Sequence, residues 1–170
     1  SKGYLFLLGG DGQPVWKSYD FFGSSGNFIE TELGGDGFPQ PNEEEGYRFA
    51  PTQIQDPNVE RLYVSSPILL TDLNRDAQLE VVVTRNLPSL AQIGGSREYS
   101  KSEILSLSWG GNGMLQNWKT DEIKGMISSL LVTDLNGDGK QELIVCVNKS
   151  PGIAGFWRDY RSVIMSYGLR

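Results

Sequence analysis

The strongest constraint on the fold of this chain is an internal repeat. Residues 68–83 read ILLTDLNRDAQLEVVV and residues 130–145 read LLVTDLNGDGKQELIV, so the two copies align without a gap. Each copy is a short apolar run, an acidic loop and a second apolar run, the pattern of two β-strands joined by a tight turn. Because a repeat with this spacing encodes one supersecondary unit, the chain must build that unit at least twice.

Glycine-rich turns extend this unit on its C-terminal side. Residues 104–109 and 116–119 flank the turn GGNG, and residues 5–8 and 15–18 flank the turn GGDG. Asn-Gly and Asp-Gly pairs supply the positive φ angles of tight hairpins, so both segments are predicted to be hairpins. Residues 162–167 resemble residues 105–109 and predict one further strand.

Four antiparallel strands per unit is the arrangement of a β-propeller blade. We therefore predict an all-β chain that forms a partial β-propeller of about two to three four-stranded blades. In this scheme residues 1–20 are the last two strands of a blade, 21–61 an irregular insertion or loop, 62–120 a full blade and 121–170 a C-terminal blade. Because closing a ring takes about four to eight blades, open strand edges are expected at the ends.

The second acidic loop has the composition of a calcium site. Alternate side chains of a tight loop direct their oxygen atoms to one centre, and a backbone carbonyl with a closing carboxylate completes a shell of hard oxygen ligands. Calcium is favoured over magnesium, which demands stricter octahedral geometry. The loop is not an EF-hand, because strands flank it and the acidic residue closes it early. The predicted ligands are Asp134, Asn136, Asp138, Lys140 through its carbonyl, and Glu142.

The first acidic loop keeps the four side-chain ligands but loses both glycines. Arg75 and Ala77 replace Gly137 and Gly139, and a residue with a β-carbon is disfavoured where φ is positive. Arg75 also brings a cation to the cluster, where it could point to solvent or partly neutralise the carboxylates. We predict a second site of lower affinity formed by Asp72, Asn74, Asp76 and Glu80.

These motifs resemble the FG-GAP or VCBS repeats of integrin-α-type propellers. The resemblance rests on DLNGDGKQE at residues 134–142 and on the partial copy at residues 72–80. In that family the loops bind calcium and rigidify a blade, with Asp usual where Glu142 stands. Many bacterial cell-envelope and secreted proteins are similar, which implies an extracytoplasmic location, either secreted, periplasmic or on the cell surface.

The composition argues against several classes of function. The chain has no histidine, which removes the commonest general base and the triads built on it, so we expect no enzyme. The net charge of −6 without a basic run argues against nucleic acid as a partner. No apolar stretch reaches the ~20 residues of a transmembrane helix. Cys146 lies in an apolar run and is interpreted as a small buried hydrophobe.

Two hypotheses for function remain open at this point. The first is a calcium-stabilised segment for protein–protein contact or structural assembly at the cell surface; the second is a carbohydrate-binding or hydrolase-associated module. They differ in whether Trp16, Trp109, Trp118 and Tyr167 fill the space between blades or stack on sugars. The chain begins without an initiator Met, so a longer precursor is expected. Its remainder, another chain or a self-copy would then cover the open strand edges.

Overall fold

The computed structural model describes residues 3–32, 59–88, 98–149 and 161–169. Within these ranges the chain is all-β, as predicted, and forms antiparallel sheets, none of which closes on itself. The same ranges contain no helical segment with the length and hydropathy of a membrane span. The strands are β1 (Tyr4–Leu8), β2 (Pro14–Phe21), β3 (Phe28–Glu32), β4 (Val59–Tyr63), β5 (Leu69–Thr71), β6 (Glu80–Pro88), β7 (Tyr99–Trp109), β8 (Met114–Lys119), β9 (Ile123–Lys124), β10 (Met126–Thr133), β11 (Glu142–Lys149) and β12 (Arg161–Gly168).

Strands β5 to β8 form a four-stranded meander, which we call the central sheet. Each strand pairs with the next along the chain, and the turn GGNG joins β7 to β8 as a hairpin. The short strand β9 lies beyond residue 120, the predicted end of the full blade, yet it pairs with β7 and belongs to this sheet. The central sheet thus spans residues 69–124, whereas the full blade was predicted over residues 62–120.

Strands β10, β11 and β12 form the C-terminal sheet, which repeats the pairing of the central sheet. Thr71 pairs with Glu80 in the central sheet, and Thr133 pairs with Glu142 in the C-terminal sheet. Since these two pairs occupy the same positions in the aligned copies, the sequence repeat is also a repeat of strand register. Strand β12 occupies the place of β7, as the similarity of their sequences predicts.

Strands β1 and β2 form the N-terminal sheet, and residues 21–61 differ from their prediction as an irregular insertion. Strand β3 and the first part of β4 lie within that segment, and the two strands pair antiparallel although they are distant along the chain. The intervening residues 33–58 lie outside the described ranges. The prediction missed this pair because β3 and β4 are short and far apart, so neither shows a local turn signal.

The central sheet packs between the N-terminal and C-terminal sheets. Val81 and Val83 of β6 join a core with Leu5 of the N-terminal sheet. Val82, from the opposite face of β6, joins a second core with Ile127 and Val145 of the C-terminal sheet. A strand with both faces buried reads as a continuous apolar run, which explains the three consecutive valines.

A buried polar network joins the central sheet, the C-terminal sheet and the chain that follows β2. The side chain of Asn86 donates to the carbonyls of Ser24 and Ile127 at 2.6 and 3.0 Å, and its oxygen accepts the N–H of Ile127 at 3.0 Å. The hydroxyl of Ser102 donates to the same Asn86 oxygen at 2.5 Å, and that of Ser66 donates to the carbonyl of Ile127 at 3.1 Å. Because the members are buried and hydrogen-bonded, the network fixes how the two sheets meet.

Candidate metal centre

The two acidic loops lie at equivalent places in neighbouring sheets. One connects β5 to β6 and the other connects β10 to β11, and each ends at a buried glutamate, Glu80 or Glu142, that begins the following strand. Because the preceding and following strands are paired, each loop must reverse the chain over a short distance. Such a tight reversal allows alternate side chains to turn toward a common point.

Three carboxylates of the second loop converge. One oxygen atom from each of Asp134, Asp138 and Glu142 lies within 4.8 Å of the others. Glu142 is buried at the start of β11, whereas the two aspartates are exposed in the loop. The longer side chain of Glu142 therefore reaches the two aspartates of the loop from the start of β11.

Backbone N–H groups hold these carboxylates in place. Asp134 accepts from the N–H groups of Gly137 and Asp138 through one oxygen, at 2.7 and 3.1 Å, and from that of Gly139 through the other, at 2.8 Å. Glu142 accepts the N–H of Leu135 at 2.8 Å. Such bonds satisfy backbone donors in the turn and order the carboxylates before any cation binds.

Asn136 and Lys140 complete the predicted set, with different contacts. The side-chain oxygen of Asn136 accepts the N–H of Asp138 at 2.8 Å, while its amide nitrogen donates to Glu142 at 3.2 Å and Asp138 at 3.4 Å. The N–H of Lys140 donates to Asp138 at 2.8 Å and so closes the turn. The Asn136 amide thus supplies positive partial charge between two carboxylates, as a bound cation would.

The donor set of this loop fits a hard divalent cation. Carboxylate, amide and backbone oxygens are the ligands of calcium, and three carboxylates would more than balance its charge. Gly137 and Gly139 have φ of 77° and 82°, the left-handed angles that glycine adopts without penalty. When bound here, calcium would replace the Asn136 amide donors and join β10 to β11 through their loop.

The first loop has the same backbone course without the same convergence. Asp72 accepts from the N–H groups of Asp76 and Ala77 at 3.1 and 2.9 Å, and Glu80 accepts that of Leu73 at 2.7 Å. Asn74 donates to Asp76 at 3.0 Å. In the described parts of the chain, however, the second loop is the one place where three carboxylates meet within 4.8 Å. The structure thus places the four predicted residues of the first site in one loop, but their carboxylates do not converge as those of the second loop do.

Arg75 connects the two loops. Its guanidinium donates a long hydrogen bond of 3.4 Å to the carbonyl of Gly139. Arg75 and Ala77 have φ of 61° and 66°, so both adopt the left-handed angles of the glycines that they replace. The sequence predicted this strain, but the contact with Gly139 joins two different sheets and carried no local signal.

A cleft lies beside the first loop, between the central and C-terminal sheets. It has a volume of about 410 Å³, and its walls include the aromatic residues Trp118 and Tyr167 and the polar residues Asn74, Glu80 and Asn117. Burial raises the pKa of Tyr167. Sequence reasoning identified the two aromatic residues and the loop but missed Asn117, which has no motif around it.

Most of the aromatic residues singled out in the sequence pack between sheets. Trp118 and Tyr167 contact the core between the central and C-terminal sheets, and Trp16 contacts the core between the N-terminal and central sheets. Trp109, by contrast, is exposed. Cys146 is partly exposed rather than buried, because its side of β11 faces away from the central sheet.

Comparisons with known proteins add no relative to this description. No protein-family model matches the chain, and no similar protein was found among curated sequences or solved structures.

Proposed function

We propose that this chain is a non-catalytic, calcium-stabilised β-propeller segment of the FG-GAP/VCBS type, which serves protein–protein contact or structural assembly at the cell surface. The observation that carries the proposal is the convergence of Asp134, Asp138 and Glu142 within 4.8 Å in a loop between two paired strands. Because the same loop recurs at residues 72–80 in the same register, the unit is a repeat rather than a chance acidic turn.

The packing of the sheets supports the propeller part of the proposal. Propeller blades are four-stranded meanders that pack face to face around an axis. The central sheet is such a meander, and its faces carry separate apolar cores toward its two neighbours. The C-terminal sheet then supplies three strands of a further blade, and β1 and β2 the last two strands of an earlier one.

A structural role for the metal follows from where the loop lies. Bound calcium would crosslink the end of β10 to the start of β11 and so oppose local opening of the C-terminal sheet. Sites with dissociation constants of about 10⁻⁴–10⁻³ M fill outside cells, where calcium is plentiful. This favours an extracytoplasmic location in a bacterial cell envelope or secreted protein. The carboxylates that could serve catalysis are assigned to the ion, so we propose no enzymatic reaction.

Direct calorimetric titration of calcium tests the metal site. We expect one calcium ion per chain, with Asp138→Asn weakening binding by at least about tenfold because it removes one ligand charge. The matched control is Asp76→Asn, the same change at the equivalent position of the first loop. Equal affinity of Asp138→Asn and the unaltered chain would contradict the assignment, as would equal losses from both variants.

A carbohydrate-binding module is the second candidate, favoured by the cleft beside the first loop. Trp118 and Tyr167 offer aromatic surface there, and Asn117 and Glu80 offer polar atoms. Sugars are recognised by such combinations of stacking and hydrogen bonding. If a glycan array identifies a ligand, Asn117→Ala should weaken its binding and Gln116→Ala, an exposed neighbour outside the cleft wall, should not. An array without binding would remove this candidate.

A further inference from the structure

The two faces of each sheet have different partners within the chain. We call the face turned toward the next sheet its forward face and the face turned toward the preceding sheet its rear face. In the central sheet, Val82 and Ile104 lie on the forward face and are fully buried against the C-terminal sheet. Leu105 and Leu107 lie on the rear face and are buried against the N-terminal sheet.

The C-terminal sheet repeats this forward face but leaves it open. Val82 pairs with Ser106 and Thr84 with Ile104; at the equivalent places Ile144 pairs with Ser166 and Cys146 with Ile164. Ile164 therefore takes the position of Ile104, yet it is 74% exposed where Ile104 is fully buried. Leu131, which pairs with Ile144 on the same face, is 54% exposed. This face has the apolar residues of a packed face, but no sheet among the described residues packs against it.

The N-terminal sheet leaves its rear face open in the same sense. Phe6 stands three positions before its glycine turn, as Leu107 stands three positions before the turn GGNG. Leu107 is buried, whereas Phe6 is 50% exposed. Lys17, which pairs with Phe6, lies 3.9 Å from the centre of the Tyr4 ring, and Tyr19 beyond it is 97% exposed. Aromatic rings flank a cation on this open face, which is therefore suited to contact.

We infer that two copies of this chain associate head to tail, the forward face of one C-terminal sheet packing on the rear face of the other N-terminal sheet. The inference rests on the proposed propeller architecture. Inside the chain, the forward face of one sheet packs on the rear face of the next. The open forward face of a C-terminal sheet is therefore complementary to the open rear face of an N-terminal sheet, and neither face is complementary to a second copy of itself. The N-terminal, central and C-terminal sheets of the two copies, without their β3–β4 pairs, would make a ring of six, within the range of about four to eight blades known for closed propellers. Two equivalent contacts would then close the ring. A heterologous interface that did not close would instead extend into a filament.

Sedimentation velocity with single-face variants tests the inference. The sedimentation of the unaltered chain should correspond to a dimer, with twice the 18.8 kDa mass of one chain. Ile164→Asp and Phe6→Asp should each be monomeric, because each leaves only one kind of open face. An equimolar mixture of the two variants should recover a dimer through the one intact pair of faces. The matched control is Ile29→Asp, a change at a residue 60% exposed on the β3–β4 pair, which should remain dimeric.

Two outcomes would overturn the inference. A monomer of the unaltered chain at every concentration would show that no second copy covers these faces. A dimer of Phe6→Asp alone would show contact between two like faces. Ile164→Ser and Phe6→Ser replace the aspartates if a charged variant fails to melt cooperatively. Calcium-dependent melting, measured on the same samples, separates this result from the proposed function, since loss of either behaviour leaves the other measurable.

Discussion

Four loop residues in left-handed backbone conformation give the two acidic loops the same shape with different strain. Gly137 and Gly139 adopt φ of 77° and 82°, and Arg75 and Ala77 adopt 61° and 66° at the equivalent positions. For a residue with a β-carbon, this conformation costs about 1–2 kcal/mol. The first loop carries that strain and also lacks the convergent carboxylates, so it is the weaker candidate for a metal on two independent grounds.

Exchanging the residue types at these positions tests the strain. Gly139→Ala has open space for its β-carbon, so its effect should come from φ alone. We expect it to lower the free energy of unfolding by about 1–2 kcal/mol in the absence of calcium. Ala77→Gly should raise it by less, because glycine also increases the entropy of the unfolded chain. Urea denaturation measures both changes, and an unchanged value for Gly139→Ala would contradict the strain argument.

At the scale of single residues, the sequence predicted the features that depend only on neighbouring positions in the chain. The closeness of the acidic side chains in residues 134–142 and the left-handed angles of Arg75 and Ala77 could be predicted because a tight turn constrains adjacent positions. The hydrogen bond from Arg75 to Gly139 could not be predicted, since it depends on how two sheets pack.

Strands β6, β7 and β8 are tied together by an ion cluster around Glu103. Arg85 of β6 donates to Glu103 at 2.5 and 2.9 Å, and Lys119 of β8 donates to it at 2.7 Å. Arg85 also reaches Asp20 of the N-terminal sheet at 3.0 Å. Burial alone would raise the pKa of Glu103, but the hydrogen bonds and charges of Lys119 and Arg85 lower it overall.

This lowered pKa predicts an acid-sensitive contribution to stability. Glu103 ionises more readily in the folded chain than at its ordinary pKa of 4.5, so the cluster stabilises the fold above that pH. The stabilisation is lost as pH falls from about 4.5 through the lower folded pKa. The free energy of unfolding should therefore depend less on pH below 5 in Glu103→Gln than in the unaltered chain, by urea denaturation at a series of pH values. Parallel pH profiles for the two proteins would contradict the assignment.

At the scale of elements, repeats and glycine turns made most strands predictable, and distance along the chain limited the rest. The hairpins β1–β2 and β7–β8 and the loop-linked pairs β5–β6 and β10–β11 join neighbouring segments with clear turn chemistry. Strands β3 and β4 are separated by residues 33–58 in the sequence, and β9 is only Ile123–Lys124. Their pairing is decided by tertiary contacts rather than by local sequence.

At the scale of the whole molecule, the sequence predicted open ends but placed the exposure on strand edges. In the structure the apolar residues at both ends lie on sheet faces, represented by Ile164 and Phe6. This follows from how the sheets stack. When sheets pack face to face, a missing neighbour uncovers a face, which carries apolar side chains, as well as leaving strand edges with unpaired backbone groups. The choice of partner then depends on complementarity between faces.

The most direct test of the proposed stabilisation by calcium is the melting temperature of the chain with calcium and with a chelator. At a calcium concentration about 100 times the dissociation constant, binding adds about 2.7 kcal/mol to the free energy of unfolding. For a chain of this size that gain raises the melting temperature by about 5–10 °C. We predict this increase for the unaltered chain and for Asp76→Asn, and at most about half of it for Asp138→Asn, because at the same calcium concentration a tenfold weaker site adds only about 1.4 kcal/mol. Identical melting temperatures of the unaltered chain in calcium and in chelator would contradict the account.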